Sequence, residues 1–152
     1  MSAASDVLFH LAFPVTDIAE AKAFYGDRLG CQIGRGNDKS VILNLYGHQL
    51  VAHLAQDAPE RQVGIYPRHF GLVFTEEADF EALIGRVEAK EMGFHIPPKR
   101  RFEGTLLEHR TFFVADPFHN LMEFKYYRHP EAIFGAVSYG QVGETASSPK
   151  SL

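Results

Sequence analysis

Phe9-His-Leu-Ala-Phe-Pro-Val15 and His69-Phe-Gly-Leu-Val-Phe74 decide how this chain is read. Both alternate large apolar residues with others at the two-residue period of a half-buried strand. Each is followed by a helical pattern. Thr16 or Asp17 caps the first, with Glu20 as the capping-box partner of Asp17. Over about residues 18–29, Ile18, Ala21, Phe24, Tyr25 and Leu29 fall on one helical face, and Gly30 stops the helix. The second pattern runs from Glu76 to Lys90, with Phe80, Leu83, Ile84 and Val87 on one face and Gly93 at its end. Setting His10 on His69 aligns Phe13 with Leu72, Thr16 with Thr75, Asp17 with Glu76 and Gly26 with Gly85. A repeat of one supersecondary unit follows.

Strands complete each half. Val41–Tyr46 and Gln49–Ala55 read as a hairpin about Gly47-His48, with room for another strand near residues 31–36. Arg110–Ala115 and Asn120–Tyr126 read as a second hairpin around Asp116-Pro-Phe-His119, after a linking segment carrying Pro97-Pro98 and Lys99-Arg100-Arg101. The predicted class is α+β: two paired βαβββ modules forming a curved eight-stranded cup with helices outside. A single domain is expected over residues 7–127, built of repeats at about 7–56 and 66–127. Residues 136–152, rich in Gly, Ser and Thr, read as a disordered tail.

Composition narrows the function. The 152 residues bury roughly two-thirds of their unfolded surface in one core, so no disulfide is needed, and the lone Cys31 has no intrachain partner. That favours a reducing, cytoplasmic setting. No apolar run is long enough to span a bilayer, and Met1–Asp6 lacks the pattern of a signal peptide. A net charge of -4 argues against nucleic acid as a partner. Eight histidines point towards metal or acid–base chemistry on a small-molecule substrate.

Alternation says which side chains enter the cup. With Phe9, Leu11, Phe13 and Val15 under the helix, His10 faces inward, and the same parity frees His69. In the strands closing each half, Gln49, Val51 and His53, and Leu121, Glu123 and Lys125, face inward. His10, His53, His69 and Glu123 thus share one concavity. A buried carboxylate beside imidazoles is costly unless satisfied, and a divalent cation satisfies it. Two histidines and a carboxylate with open positions suit Fe(II); Zn(II), Ni(II) or Mn(II) accept the same atoms.

Phe9–Val15, Phe24-Tyr-Gly-Asp-Arg-Leu-Gly30, His69-Phe-Gly71 and Asp116-Pro-Phe-His-Asn-Leu-Met-Glu-Phe124 resemble the vicinal oxygen chelate superfamily of glyoxalase I, extradiol dioxygenases and fosfomycin- and bleomycin-resistance proteins. The resemblance puts His10, His69 and Glu123 on the metal-ligand positions of catalytic members. It implies a substrate that offers two vicinal oxygens, and commonly a homodimer. Glyoxalase I has a fourth ligand, a glutamate, where this chain has His53. Extradiol dioxygenases have an acid–base histidine near the place of His48, and a tyrosine where this chain has Phe113. The resulting expectation is an extradiol-dioxygenase-like oxidoreductase on a catechol-like substrate. A glyoxalase-like lyase and a metal-free binding module are the alternatives. His48 and His53 are the candidate catalytic groups, and Gln49, Phe113 and Lys125 the candidate substrate contacts. Lys99, Arg100 and Arg101 read as a solvated loop or an anion clamp, and His95, His109, His119 and His129 as surface residues.

Overall fold

Asp17 starts the first helix as expected: its carboxylate accepts the Glu20 N–H at 2.8 Å. The computed structural model describes residues 6–143. Among them, β1 (His10–Val15) leads into α1 (Ile18–Lys22), which continues as a π-helical turn over Ala23–Arg28. Next come β2 (Gln32–Gly36), β3 (Ser40–Leu45) and β4 (His48–Leu54). The second half repeats this order with β5 (Phe70–Phe74), α2 (Glu77–Ala89), β6 (Ile96–Arg101), β7 (His109–Ala115) and β8 (Leu121–Tyr127). A 3₁₀ turn, Pro130–Ala132, follows.

The strands form two four-stranded mixed sheets of identical topology, β1-β4-β3-β2 and β5-β8-β7-β6. In each, the first and last strands of the module pair in parallel, and β3–β4 runs antiparallel. The β3–β4 hairpin turns at Tyr46-Gly47, both at positive φ (51° and 91°), rather than at Gly47-His48. Two consecutive left-handed residues make the turn whose twist matches paired strands. His48 is therefore the first residue of β4.

The chain divides into two compact units. Among the described residues, the first comprises 6–66 and 115–120, the second 67–114 and 121–143. In the first, Val15, Ala21, Tyr25, Val41, Leu43 and Ala52 are fully buried. In the second, Phe80, Val87, Phe112, Met122 and Phe124 are. Phe112 and Phe124 stack with centroids 5.3 Å apart. The Pro97–Arg101 stretch is part of an edge strand, not a linking loop. Residues 136–143 carry neither helix nor strand, and the rest of the expected tail, 144–152, lies outside the described residues.

Candidate metal centre

In the second unit β5 and β8 run parallel with Gly71 beside Glu123. The strands approach so closely that a β-carbon on Gly71 would overlap the Glu123 carbonyl, which explains why glycine follows His69-Phe70. His69 Nε2 lies 3.1 Å from Glu123 Oε1. The other carboxylate oxygen, Oε2, accepts the Thr111 hydroxyl at 2.6 Å. Phe113, fully buried on β7, sets its ring edge-to-face with His69 at 5.1 Å. Both candidate ligands are therefore held in place.

Glu123 is 9 % exposed. Burial raises its pKa, but the His69 hydrogen bond, the Lys125 charge and the Thr111 hydrogen bond together hold it below its ordinary value, so the carboxylate is ionised. Lys125 Nζ stands 3.6 Å from Glu123 Oε1 and donates to Tyr127 Oη at 3.5 Å.

His109 corrects the sequence reading. It opens β7 and is 6 % exposed, not a surface residue. Its Nδ1 donates to the Leu107 carbonyl at 2.8 Å, and its ring packs on Tyr127 with centroids 4.9 Å apart. Burial pushes its pKa down, so it is neutral with Nε2 unprotonated. Only its position near a strand end had suggested exposure. His119 is half-buried, within 3.1 Å of the Pro59 carbonyl, whereas His95 is exposed. Arg100 pairs with the buried Glu108 carboxylate at 2.8 Å, so it is committed to a structural ion pair.

In the first unit the parallel register sets His10 beside Gln49. Their side chains meet, His10 Nδ1 to Gln49 Oε1 at 2.8 Å. An amide oxygen only accepts, so Nδ1 is the donor in this contact, the tautomer that leaves Nε2 for a ligand. His48 Nδ1 accepts the Phe9 N–H at 3.1 Å. By alternation it shares a face with Leu50 and Ala52, not with Gln49.

The register also corrects the pairing of the two halves. His10 stands beside Gln49, and one residue before Phe70↔Met122 places His69 beside Leu121. Glu123 lies two residues beyond that level, and its counterpart two residues beyond Gln49 is Val51 rather than His53. His53 is exposed near the end of β4, paired with Pro14 and Ser40. Its level is about 13 Å along the strand from that of His10.

Donor atoms at adjacent positions around one ion, each about 2.1 Å from it, stand about 3 Å apart. The His69–Glu123 separation matches that spacing, and the oriented carboxylate and the Gln49-bound imidazole are donors of the required kind. In neither unit do the described residues gather three or more His, Cys, Asp or Glu side chains fit to hold a metal ion.

Sequence reasoning passed over one buried cluster. Asp116 accepts the Tyr25 hydroxyl at 2.6 Å and Asn120 Nδ2 at 2.7 Å on Oδ2, and the N–H groups of Phe118 and Asn120 at 2.8 Å on Oδ1. Asn120 Nδ2 also donates to the Pro14 carbonyl at 3.0 Å. The loop motif 116–120 was the available signal. Its contact with the π-helical turn was not legible.

Paired βαβββ units with imidazole and carboxylate donors on strand faces define a scaffold class built around a small-molecule site. The chain belongs to the glyoxalase/bleomycin resistance protein/dioxygenase superfamily, whose family model matches residues 7–124. It is 39 % identical to a solved glyoxalase/bleomycin resistance protein/dioxygenase from Alicyclobacillus acidocaldarius, with 88 % of this chain and 100 % of that one covered and a TM-score of 0.82. The fold is also similar to the fosfomycin resistance protein FosX from Listeria monocytogenes, solved with Mn(II) and sulfate (17 % identity, 86 % and 97 % covered, TM-score 0.62). A lactoylglutathione lyase from Agrobacterium tumefaciens shares it too (18 % identity, 80 % and 94 % covered, TM-score 0.59). No match was found among curated protein sequences. No described helix is long and apolar enough to cross a membrane.

Proposed function

We propose that this protein is a metal-dependent enzyme that uses His10, His69 and Glu123 as ligands and acts as an extradiol-dioxygenase-like oxidoreductase on a small catechol-like substrate. The observation that carries the metal reading is the ionised Glu123 carboxylate, with one oxygen tied to Thr111 and the other 3.1 Å from His69 Nε2. A three-donor set is favoured over the glyoxalase-like four because Val51, which has no donor atom, occupies the level equivalent to Glu123. When bound, a divalent ion supplies Lewis acidity to two substrate oxygens and leaves positions open for them. Fe(II) is the proposed ion, with Zn(II), Ni(II) and Mn(II) as competitors.

The chain's own residues then have distinct tasks. Gln49 fixes the tautomer of His10, and Thr111 fixes the rotation of Glu123. The Lys125 ammonium offsets negative charge on a bound substrate oxygen. Phe113 holds the His69 ring and supplies an apolar wall. Proton transfer is not assigned to His48, which lies on the opposite face of β4 from Gln49 with its Nδ1 engaged by the Phe9 N–H. A cytoplasmic homodimer is the proposed setting.

The test is anaerobic reconstitution with Fe(II), followed by oxygen consumption over a panel of catechols, with metal content measured alongside. Catechol-dependent oxygen uptake that disappears in Glu123→Gln supports the reading. Turnover of methylglyoxal with glutathione and no oxygen uptake would establish the lyase instead, and protein that binds no divalent ion would be a ligand-binding module.

A further inference from the structure

Beside Gln49 the first unit holds a cavity of about 380 Å³, and its shape comes from an irregularity in β2. Regular pairing of β2 with β3, continued from Gln32↔Asn44 and Ile33↔Leu43, would set Arg35 opposite Val41 on the helix-facing side. Instead Gly36 pairs with Val41, so one extra residue is accommodated between Ile33 and Gly36. A bulge of this kind reverses the alternation and re-aims a side chain. Arg35 is thereby delivered to the face of Ile42, Gln49 and Val51, where it lines the cavity. Glycine is required at 36, since a β-carbon there would sit 2.6 Å from the Ser40 carbonyl oxygen.

The lining is rich in donors. The Arg35 side chain makes no hydrogen bond or ion pair with another described residue. Gln49 spends its oxygen on His10 and keeps its amide hydrogens. Asn37 spends its oxygen on the N–H groups of Lys39 and Ser40 and keeps its own likewise. No lining residue is acidic, while Ile42 and Val51 supply an apolar floor.

We propose that this cavity binds the carboxylate of an organic acid, with the planar guanidinium of Arg35 gripping both oxygens and the acid's apolar body resting on Ile42 and Val51. An inorganic anion would leave the Ile42 and Val51 floor wetted. Gln49 joins this subsite to His10, so the substrate of the proposed reaction carries an acid group besides its vicinal oxygens. The acid's role as substrate rests on the proposed function; its binding to Arg35 does not.

Calorimetric titration of the full-length protein with benzoate, benzamide and inorganic phosphate tests this. Benzoate binding that weakens about tenfold or more in Arg35→Gln, with an intermediate loss in Arg35→Lys, is the expected result. Benzamide should bind more weakly than benzoate, and equimolar phosphate should not displace it. Benzoate binding unchanged in Arg35→Gln, equal binding of benzamide, or displacement by equimolar phosphate would each overturn the assignment. Circular dichroism of the variants controls for folding. Metal content of the same samples separates the two claims: benzoate binding in Arg35-dependent form without any bound metal sinks the proposed reaction and keeps the acid subsite, and the converse does the opposite.

Discussion

Replacing Tyr25 by phenylalanine removes one oxygen from a fully buried ring. That oxygen donates to Asp116 Oδ2 at 2.6 Å, and three donors remain: Asn120 Nδ2 and the N–H groups of Phe118 and Asn120. A hydrogen bond to a carboxylate contributes about 1.5–3 kcal/mol, and a stranded buried acceptor costs more. Since Asp116 keeps three of its four partners, the loss should fall near about 2 kcal/mol, or a Tm drop of about 4–8 °C for a chain of this size. Urea denaturation at pH 7 measures it, with Asp116→Asn and the double variant completing a cycle. Alkaline pH gives a second readout. Burial, and then the Asp116 charge, raise the Tyr25 pKa well above 10.0. A folded value above the unfolded one means stability that is intact below pH 10 and declines as pH rises beyond it. Tyr25→Phe should lack this decline. A change under about 0.5 kcal/mol at pH 7, or an identical alkaline profile in both proteins, would refute the reasoning.

Gly71→Ala should cost about 3 kcal/mol or more, because β5 must move off the Glu123 backbone to admit the methyl group; thermal unfolding checks this. Thr111→Val keeps the shape of a buried side chain and deletes the bond to Glu123 Oε2. Divalent-metal affinity, read by chelator competition, should fall about 10–100-fold, with Thr111→Ser restoring most of it. His109 is held neutral mainly by burial, so its folded pKa lies below 6.5. The stability it confers is present above pH 6.5 and lost as pH falls through the folded value. Urea midpoints of the wild type should therefore drop between pH 7.5 and 5.5 more than those of His109→Asn.

The elements that sequence reveals well here are those whose pattern reflects one buried face. Phe13 and Val15 under the first helix, the Asp17 cap, and Phe80, Leu83, Ile84 and Val87 on α2 all lie where alternation and helical spacing put them. Pro97-Pro98 misled because proline removes a ladder donor, yet β6 is an edge strand, where that loss is tolerated. The π-helical turn was hidden because six residues are too few to separate its period from that of an α-helix. At the candidate site, alternation tells which residues share a strand face with His10 and with Glu123, but not the register between strands. Matching His53 to Glu123 by strand position misses by two residues, which only hydrogen-bonded pairing reveals. The same holds for Arg35, whose direction depends on a bulge that no period announces.

Residues 115–120 belong to the first unit although they follow most of the second in the chain. During synthesis Tyr25 leaves the ribosome long before Asp116 exists to accept its hydroxyl, so the amino-terminal half waits, incomplete, for a latch made later. A gene fragment ending at residue 66 would encode that half without its fastening, and supplying a peptide spanning the loop should tighten it in trans. Early chain folding and late chain sealing are thus written into the order of the residues.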